Sequence, residues 1–383
     1  MSAQAAESPW TVIARKAAAG DLAGACSDAL RALDERPDDP ATQRAAALAI
    51  VQTASFHAFP VAAAALDKVL LRDPGDADAT AAAAYAHWLS KDLDKAFALA
   101  GRAIVLAPDV LSHYERYSLI ALTSGRYVEA FVAAALQCNA RPEDARARTS
   151  AELARRMAAG ETVASVDFDG KRYLFQLTCA DGQRLTSDIC HVGGTLVEGR
   201  ELRAMRAAVP TAEVIVEIGV LAGNHLMYFA KEMRPRRLVA VEASAPNLKL
   251  IARNVALNKA ADPASFDGME IVLMHAFVGD RDSDEAAAPE GAGFAGTARR
   301  RLDTLLRAES RVDLIKIDVD GAEIALLDGA RETLSRLRPT VMIEVERRLE
   351  TAFLERLPGL GYRVAATFDA AIYRNFLIVP EPR

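Results

Sequence analysis

Glu217-Ile-Gly219-Val-Leu-Ala-Gly223 and, further on, Glu242 are the residues whose types and spacing first suggest chemistry. The apolar, β-branched run 214–218 reads as a strand buried on both faces, and it breaks at two glycines before a helix-like segment at 226–231. A strand, a glycine turn and a helix let a ligand's polar atoms approach main-chain N–H groups with no Cβ in the way. A second apolar run, 237–242, ends in Glu242, 23 residues after Gly219. A carboxylate at that point is placed to accept both ribose hydroxyls of a nucleoside. A dinucleotide site wants G-x-G-x-x-G against a pyrophosphate, which a carboxylate two residues ahead of the first glycine would repel. Glu217 suits instead the ammonium of a methionine moiety. The expected cofactor is therefore S-adenosylmethionine, bound by Glu217, Gly219, Gly223 and Glu242, with the main chain of Ala276 and Phe277 against the adenine.

A second set of residues could move a proton. Asp318 ends a fourth apolar run and Glu344 a fifth, and with Asp320 and Glu323 they can converge at one edge of the sheet. Crowded carboxylates raise the pKa of at least one member, which suits a general base. The same crowding suits a divalent cation held by oxygen ligands, Mg²⁺ or Mn²⁺, on Asp318, Asp320 and Glu344. Asp318 has the best position for the base and also borders the cofactor; Glu344 and His275 are the other candidates, His275 being placed to border the adenine as well. Asp320, Glu323 and His225 are candidate substrate contacts, the second reading of Glu323 being the acid of a helix N-terminus. Lys316 is expected to pair with one of the acids, Glu198 to be a solvated acid at a helix start, Asn254 and Asn258 to brace a helix end, and Asp303 and Asp313 to be solvated turn residues.

The elements that position these groups alternate from residue 214 onward. Strands are expected at 214–218, 237–242, 270–277, 312–317 and 340–345, with two closing strands near 362–368 and 372–379. Helices are expected at about 224–233, 246–257, 321–336 and 348–356, and the Ala-, Gly- and acid-rich stretch 281–300 as a mobile loop. The first 160 residues differ. Pro37, Pro74, Pro108 and Pro142 follow apolar helical runs at separations of 37, 34 and 34 residues, and an alanine stands twelve residues before each: Ala25, Ala62, Ala96, Ala130. Trp10 and Trp88 are expected as core anchors. Between the halves, 161–212 reads as a small β-hairpin, a possible further strand at 184–192, and a helix at 198–207.

The 34-residue period with small residues at the helix crossing resembles the tetratricopeptide family over about residues 8–145, with the second unit departing at Ser55-Phe-His-Ala-Phe59. Lys316-Ile-Asp-Val-Asp-Gly-Ala-Glu323, with 246–258, 302–306, 327–330, 338–344 and 375–380, resembles the FkbM family of S-adenosylmethionine-dependent methyltransferases over about residues 185–380. That resemblance implies a class I methyltransferase fold, Rossmann-like, with a seven-stranded sheet in the order 3-2-1-4-5-7-6. It also implies O-methylation of hydroxyls on sugars or natural products of polyketide type. Two residues depart from the family pattern: Leu221 stands where asparagine is usual, and Asp320 where glutamate is usual. The expected organisation is a helical repeat domain (1–160), a joint (161–212) and a methyltransferase domain (213–383).

Composition bounds the partners. The 383 residues carry a formal net charge of −6, so a broad basic surface for nucleic acid is not expected. No stretch reaches the ~18 uncharged apolar residues of a membrane span. Scattered Cys26, Cys138, Cys179 and Cys190, without metal-ligand spacing or a leader, fit the cytoplasm. The expected substrate is a small molecule or glycan, with the repeats recruiting a protein partner, a second copy, or shaping access. The alternatives are a protein methyltransferase whose repeat groove holds the polypeptide, and a scaffold that binds cofactor without turnover.

Overall fold

The computed structural model describes residues 9–53, 58–284, 297–370 and 372–382. Part of the second repeat's departure, residues 55–57, and most of the expected mobile loop, residues 285–296, lie outside the described residues.

The repeats form antiparallel helix pairs: α1 (Pro9–Ala18) and α2 (Leu22–Glu35), α3 (Pro40–Thr53) and α4 (Phe59–Arg72), α5 (Ala77–Leu89) and α6 (Leu93–Leu106), α7 (Leu111–Thr123) and α8 (Tyr127–Ala140), then α9 (Ala145–Ala158). Ala25, Ala62, Ala96 and Ala130 are all fully buried, as residues at a close helix crossing must be. Each proline of the period stands two residues past the end of the second helix, where its missing N–H ends the ladder. Asp21, Asp76, Asp92 and Asp144 each cap a following helix by accepting a main-chain N–H. Trp88 is buried and its Nε1 donates to Thr123 Oγ1 at 2.8 Å, so it anchors the core as expected.

After the repeats, β1 (Val163–Phe168) and β2 (Lys171–Gln176) make the expected hairpin. The segment 184–192 is not a strand. It lies within α10 (Gly182–Val192), started by Asp181, whose carboxylate accepts the Arg184 N–H at 2.9 Å. Asp181-Gly182, a turn signal by residue type, is therefore a helix start. α11 (Gly199–Ala208) follows. The chain divides into two compact units, one of residues 1–162 with 178–189, the other of 163–177 with 190–383.

The second unit carries β3 (Val214–Ile218), α12 (Asn224–Tyr228, continued by a π-helical turn to Met233), β4 (Arg237–Glu242), α13 (Ala245–Ala261) and β5 (Glu270–His275). The two-residue strands β6 (Phe277–Val278) and β7 (Arg299–Arg300) pair in parallel and tie down the near ends of the stretch expected as a loop. Then come α14 (Leu302–Leu305), β8 (Leu314–Ile317), α15 (Glu323–Asp328), α16 (Arg331–Leu337), β9 (Thr340–Glu346), α17 (Glu350–Leu360), β10 (Tyr362–Asp369) and β11 (Tyr373–Pro380). The single helix expected at 321–336 is two, parted at Gly329, where a Cβ would lie 2.0 Å from the Gly279 carbonyl oxygen. The sheet order β10-β11-β9-β8-β3-β4-β5 is the seven-stranded order the family resemblance implies, with β11 antiparallel to its neighbours. Both faces are covered by apolar cores, one around Val216, Val239, Ile315 and Val341, the other around Ile215, Leu238, Leu314 and Met342. Among the described residues no helix is long and apolar enough to cross a membrane.

Asp303 and Asp313 are not solvated turn residues: buried Asp303 accepts the Thr333 N–H at 2.7 Å, and Asp313 accepts those of Glu213 and Val214. Asn254 and Asn258, fully buried on α13, fasten the hairpin to the sheet unit. Asn258 Oδ1 accepts the Leu174 N–H (3.0 Å) and its Nδ2 donates to the Leu174 carbonyl (2.7 Å); Asn254 accepts from Gln176 N–H (2.8 Å) and donates to the Ala222 carbonyl (2.8 Å). Two amide side chains thus stand in for a third strand along β2. Asn258→Ala leaves both Leu174 groups without these partners and should cost about 2–4 kcal/mol. Urea unfolding checks this; an unchanged midpoint would contradict the fastening.

Candidate active site

The loop between β3 and α12 is shaped by two glycines with different reasons for being glycine. Gly219 (φ +77°) lies so close to β8 that a Cβ would sit 1.6 Å from the Asp318 carbonyl oxygen. Gly223 (φ +81°) needs its left-handed backbone but has no neighbour closer than 3.8 Å to its absent Cβ. Between them Leu221 is also left-handed (φ +53°), a conformation that asparagine tolerates better than leucine. The N–H groups of Val220 and Leu221 both donate to Glu242 Oε2 at 3.0 Å. Oε1 of the same carboxylate accepts from Ser244 N–H (2.8 Å) and Asn247 Nδ2 (3.3 Å).

The two acids expected at the ends of S-adenosylmethionine stand in different states. Glu217 is 1 % exposed and its carboxylate oxygens make no hydrogen bond among the described residues. Burial pushes it up, and the nearest cation is His225, whose Nδ1 lies 3.5 Å from Oε1, so an ammonium would be a second cation on the same carboxylate. Glu242 has its four lone-pair sites filled by the protein's own donors. A ribose hydroxyl would reach this carboxylate only by replacing donors such as the two loop amides. Ala276 and Phe277 lie just past β5, and their N–H groups donate to the carbonyls of Glu242 and Ala298.

Behind the loop lies a chain of buried charges. His225, second residue of α12, has Nδ1 3.5 Å from Glu217 Oε1 and Nε2 3.2 Å from Glu198 Oε2. Burial disfavours its charge, but the two carboxylates outweigh this and push it up to about 9. Lys316, fully buried in β8, sits 3.3 Å from Glu198 Oε2 and 3.4 Å from Asp318 Oδ2, and Asp318, Glu198, Glu344 and Glu217 together outweigh its burial and keep it charged. Glu198 is itself pulled well below the usual carboxylate range: burial opposes this, and Lys316, His225 and Asn375 overcome it. Asn375 Nδ2 donates to its Oε1 at 2.7 Å.

At the open end of this chain, Asp318, Asp320 and Glu344 each offer an oxygen within 4.8 Å of the others. Asp318 has a side chain 31 % exposed and Asp320 is exposed, whereas Glu344 is buried behind them. Burial, then the Asp318 carboxylate beside it, pushes Glu344 up to about 10, so it holds its proton at neutral pH. Burial leads and crowding adds to it at Glu344, so a raised carboxylate does stand in this group. Asp320 has φ +37°, a backbone that aspartate accepts more readily than glutamate.

Three expected site residues lie elsewhere. His225 is buried, and both its ring nitrogens lie toward carboxylates, Glu217 and Glu198. Glu323 is 1 % exposed and accepts the Gly321 N–H at 2.8 Å, in keeping with an acid at the start of α15, and burial pushes it up to about 7. His275 ends β5, three strands and so roughly 14 Å from β8. Its Nε2 lies 3.0 Å from the Ala243 carbonyl oxygen, away from the carboxylates. Glu198, by contrast, was not legible: it is buried in the network rather than solvated, and an acid between a glycine pair and a helix carries no pattern that says so.

The site makes stability depend on pH. Between about pH 7 and 9 the folded state keeps protons on His225 and Glu344 that the unfolded chain has released. Stability should therefore fall as pH rises through that window, by roughly 1–3 kcal/mol per pH unit. Urea midpoints at the two ends test this; a rising midpoint would contradict the charge assignment. Gly219→Ala, which drives a Cβ into the Asp318 carbonyl, should cost at least about 2 kcal/mol, and a wild-type melting temperature would refute the close approach.

Comparison with known proteins bears on the same residues. A search of curated proteins finds no match. Among solved structures, MamA is similar at 22% identity, covering 39% of this chain and 83% of that one, with a TM-score of 0.33. The M. capricolum TrmK complex with S-adenosylhomocysteine is similar at 10% identity (49% and 69% covered, TM-score 0.32). The precorrin-6y C5,15-methyltransferase of Geobacter metallireducens is similar at 16% identity (49% and 91%, TM-score 0.34). The family model described as the methyltransferase FkbM domain matches residues 214–364, from the first residue of β3 into β10. This chain therefore carries an FkbM methyltransferase domain at residues 214–364, behind a helical repeat region of tetratricopeptide type.

Proposed function

We propose that the chain is a cytoplasmic O-methyltransferase acting on a hydroxyl of a sugar, glycan or natural product, with residues 1–160 recruiting a partner or shaping access and 161–212 joining them to the methyltransferase domain. The observation that carries this reading is the carboxylate group of Asp318, Asp320 and Glu344 where β8 and β9 meet the loop side of the sheet. That edge, beside the point where strand order reverses, is where ligands of open α/β sheets bind. Bound S-adenosylmethionine supplies an electrophilic methyl. A sugar hydroxyl is a very weak acid, and a positioned carboxylate is the group needed to take its proton. Asp318 is open to an incoming acceptor and held by Lys316 at 3.4 Å, so it is the base. Glu344, protonated, donates a hydrogen bond that orients the acceptor or Asp318, and Asp320 faces solvent to contact the substrate. Glu217 and Glu242 hold the two ends of the cofactor. Four free cysteines support a reducing compartment.

Asp318→Asn keeps the shape and removes the proton acceptor, so turnover should fall by roughly 10²–10⁴-fold while S-adenosylhomocysteine affinity changes little. The assay compares hydroxyl acceptors with peptides, and methylation of peptides alone would overturn the substrate class. If EDTA abolishes turnover and Mg²⁺ or Mn²⁺ restores it, the three carboxylates hold a cation that activates the hydroxyl. Near-normal, chelator-insensitive turnover by Asp318→Asn would remove both roles from Asp318.

A further inference from the structure

Among the described residues, Glu198 is the one acid within 4 Å of both buried cations of the site. It precedes α11 with a left-handed backbone (φ +54°), a conformation costly for a residue with a long side chain and often retained where function needs it. Its Oε2 lies 3.2 Å from His225 Nε2 and 3.3 Å from Lys316 Nζ, while Oε1 accepts from Asn375 on β11. The preceding residue is fixed as well. The Val197 N–H donates to Asn224 Oδ1 (3.1 Å), and Asn224 Nδ2 donates back to the Val197 carbonyl (3.0 Å). Asn224 also accepts from buried His191 at 3.1 Å, whose ring stacks on Phe175 at 3.8 Å. Residues 197 and 198 are thereby fastened to the two residues that follow Gly223, by paired amide bonds at Asn224 and by an ion pair at His225.

We propose that Glu198 is a positioning residue of the methyltransferase site, acting through His225 to hold the glycine loop and through Lys316 to hold Asp318. One carboxylate thereby couples the cofactor end of the site to the acceptor end. Three charged groups face His225: Glu198 before α11, Glu217 on β3 and Lys316 on β8, with the Phe229 ring 6.5 Å away on the next turn. Without the Glu198 charge, the imidazole keeps Glu217 as its sole carboxylate and still feels the Lys316 ammonium. Lys316, in turn, is left to Asp318. The proposal rests on the methyltransferase reading for its functional consequence, and on geometry alone for the coupling.

The test follows the imidazole resonances of the full-length protein through a pH titration, His225 being identified by the signal lost in His225→Asn. The wild-type imidazole should stay protonated to about pH 9. In Glu198→Gln its titration should fall to the ordinary histidine value of about 6.5 or below. Asn375→Leu, which keeps the carboxylate and removes the group that aims it, should lower the titration by a smaller amount, and serves alone if the glutamine variant fails to fold. Calorimetry with S-adenosylhomocysteine should show about tenfold weaker binding in each variant. An unmoved His225 titration, or wild-type affinity in a variant whose titration has moved, would overturn the proposal. Absence of S-adenosylhomocysteine binding by the wild type would instead sink the cofactor reading, and the titration would still judge the coupling.

Discussion

A lysine ammonium stays charged inside a parallel sheet only where carboxylates surround it, and Lys316 sits fully buried on β8 under that constraint. Glu198 and Asp318 lie within 3.4 Å of it, and Glu344 and Glu217 act on it from farther away. Those acids come from four places in the chain: the turn before α11, the end of β8, β9 and β3. Satisfying one ammonium therefore fixes the relative placement of the groups that line the candidate site. Acids outnumber the two buried cations, and burial pushes up both Glu217 and Glu344, the latter to about 10. Breaking such a pair costs more than its presence gains, because the remaining charge is left buried.

The backbone is specialised around the same point. Leu221, Asp320 and Glu198 all have left-handed conformations, and each either presents a side chain to the site or turns the chain beside it. Gly219 shows how fold and site are interlocked. Its missing Cβ makes room for the carbonyl of Asp318, so the glycine of the β3–α12 loop is also what allows Asp318 to stand where it does. A substitution there would disturb the β3–α12 loop and the start of the 318–320 turn together.

Much of this was legible in the sequence because it depends on local pattern. Strands 214–218 and 237–242, the glycine turn, Glu242 at a strand tip and the alanines of the repeat all follow from periodicity and residue size. The seven-strand order came from the family resemblance. What stayed hidden depends on contacts between distant residues. Glu198 meets Asn375 across 177 positions, and no local rule distinguishes it from a solvated acid. His225 looked free to reach a substrate because its two carboxylate partners, one of them Glu198, were not visible together. The segment 184–192, a possible strand by its pattern, is helical for a different reason: Asp181-Gly182 serves as a turn or as a helix start, and the Asp181–Arg184 hydrogen bond decides.

The central claim is that one edge of the sheet brings a methyl donor held by Glu217 and Glu242 against an acceptor held by Asp318. A crystal structure of the protein with S-adenosylhomocysteine tests this most directly. The account predicts ribose hydroxyls on Glu242 with the Val220 and Leu221 amides released, the ammonium on Glu217, and the sulfur turned toward Asp318 and Glu344. A ligand bound with Glu242 still closed by the loop amides, or with its sulfur facing away from Asp318, would contradict it.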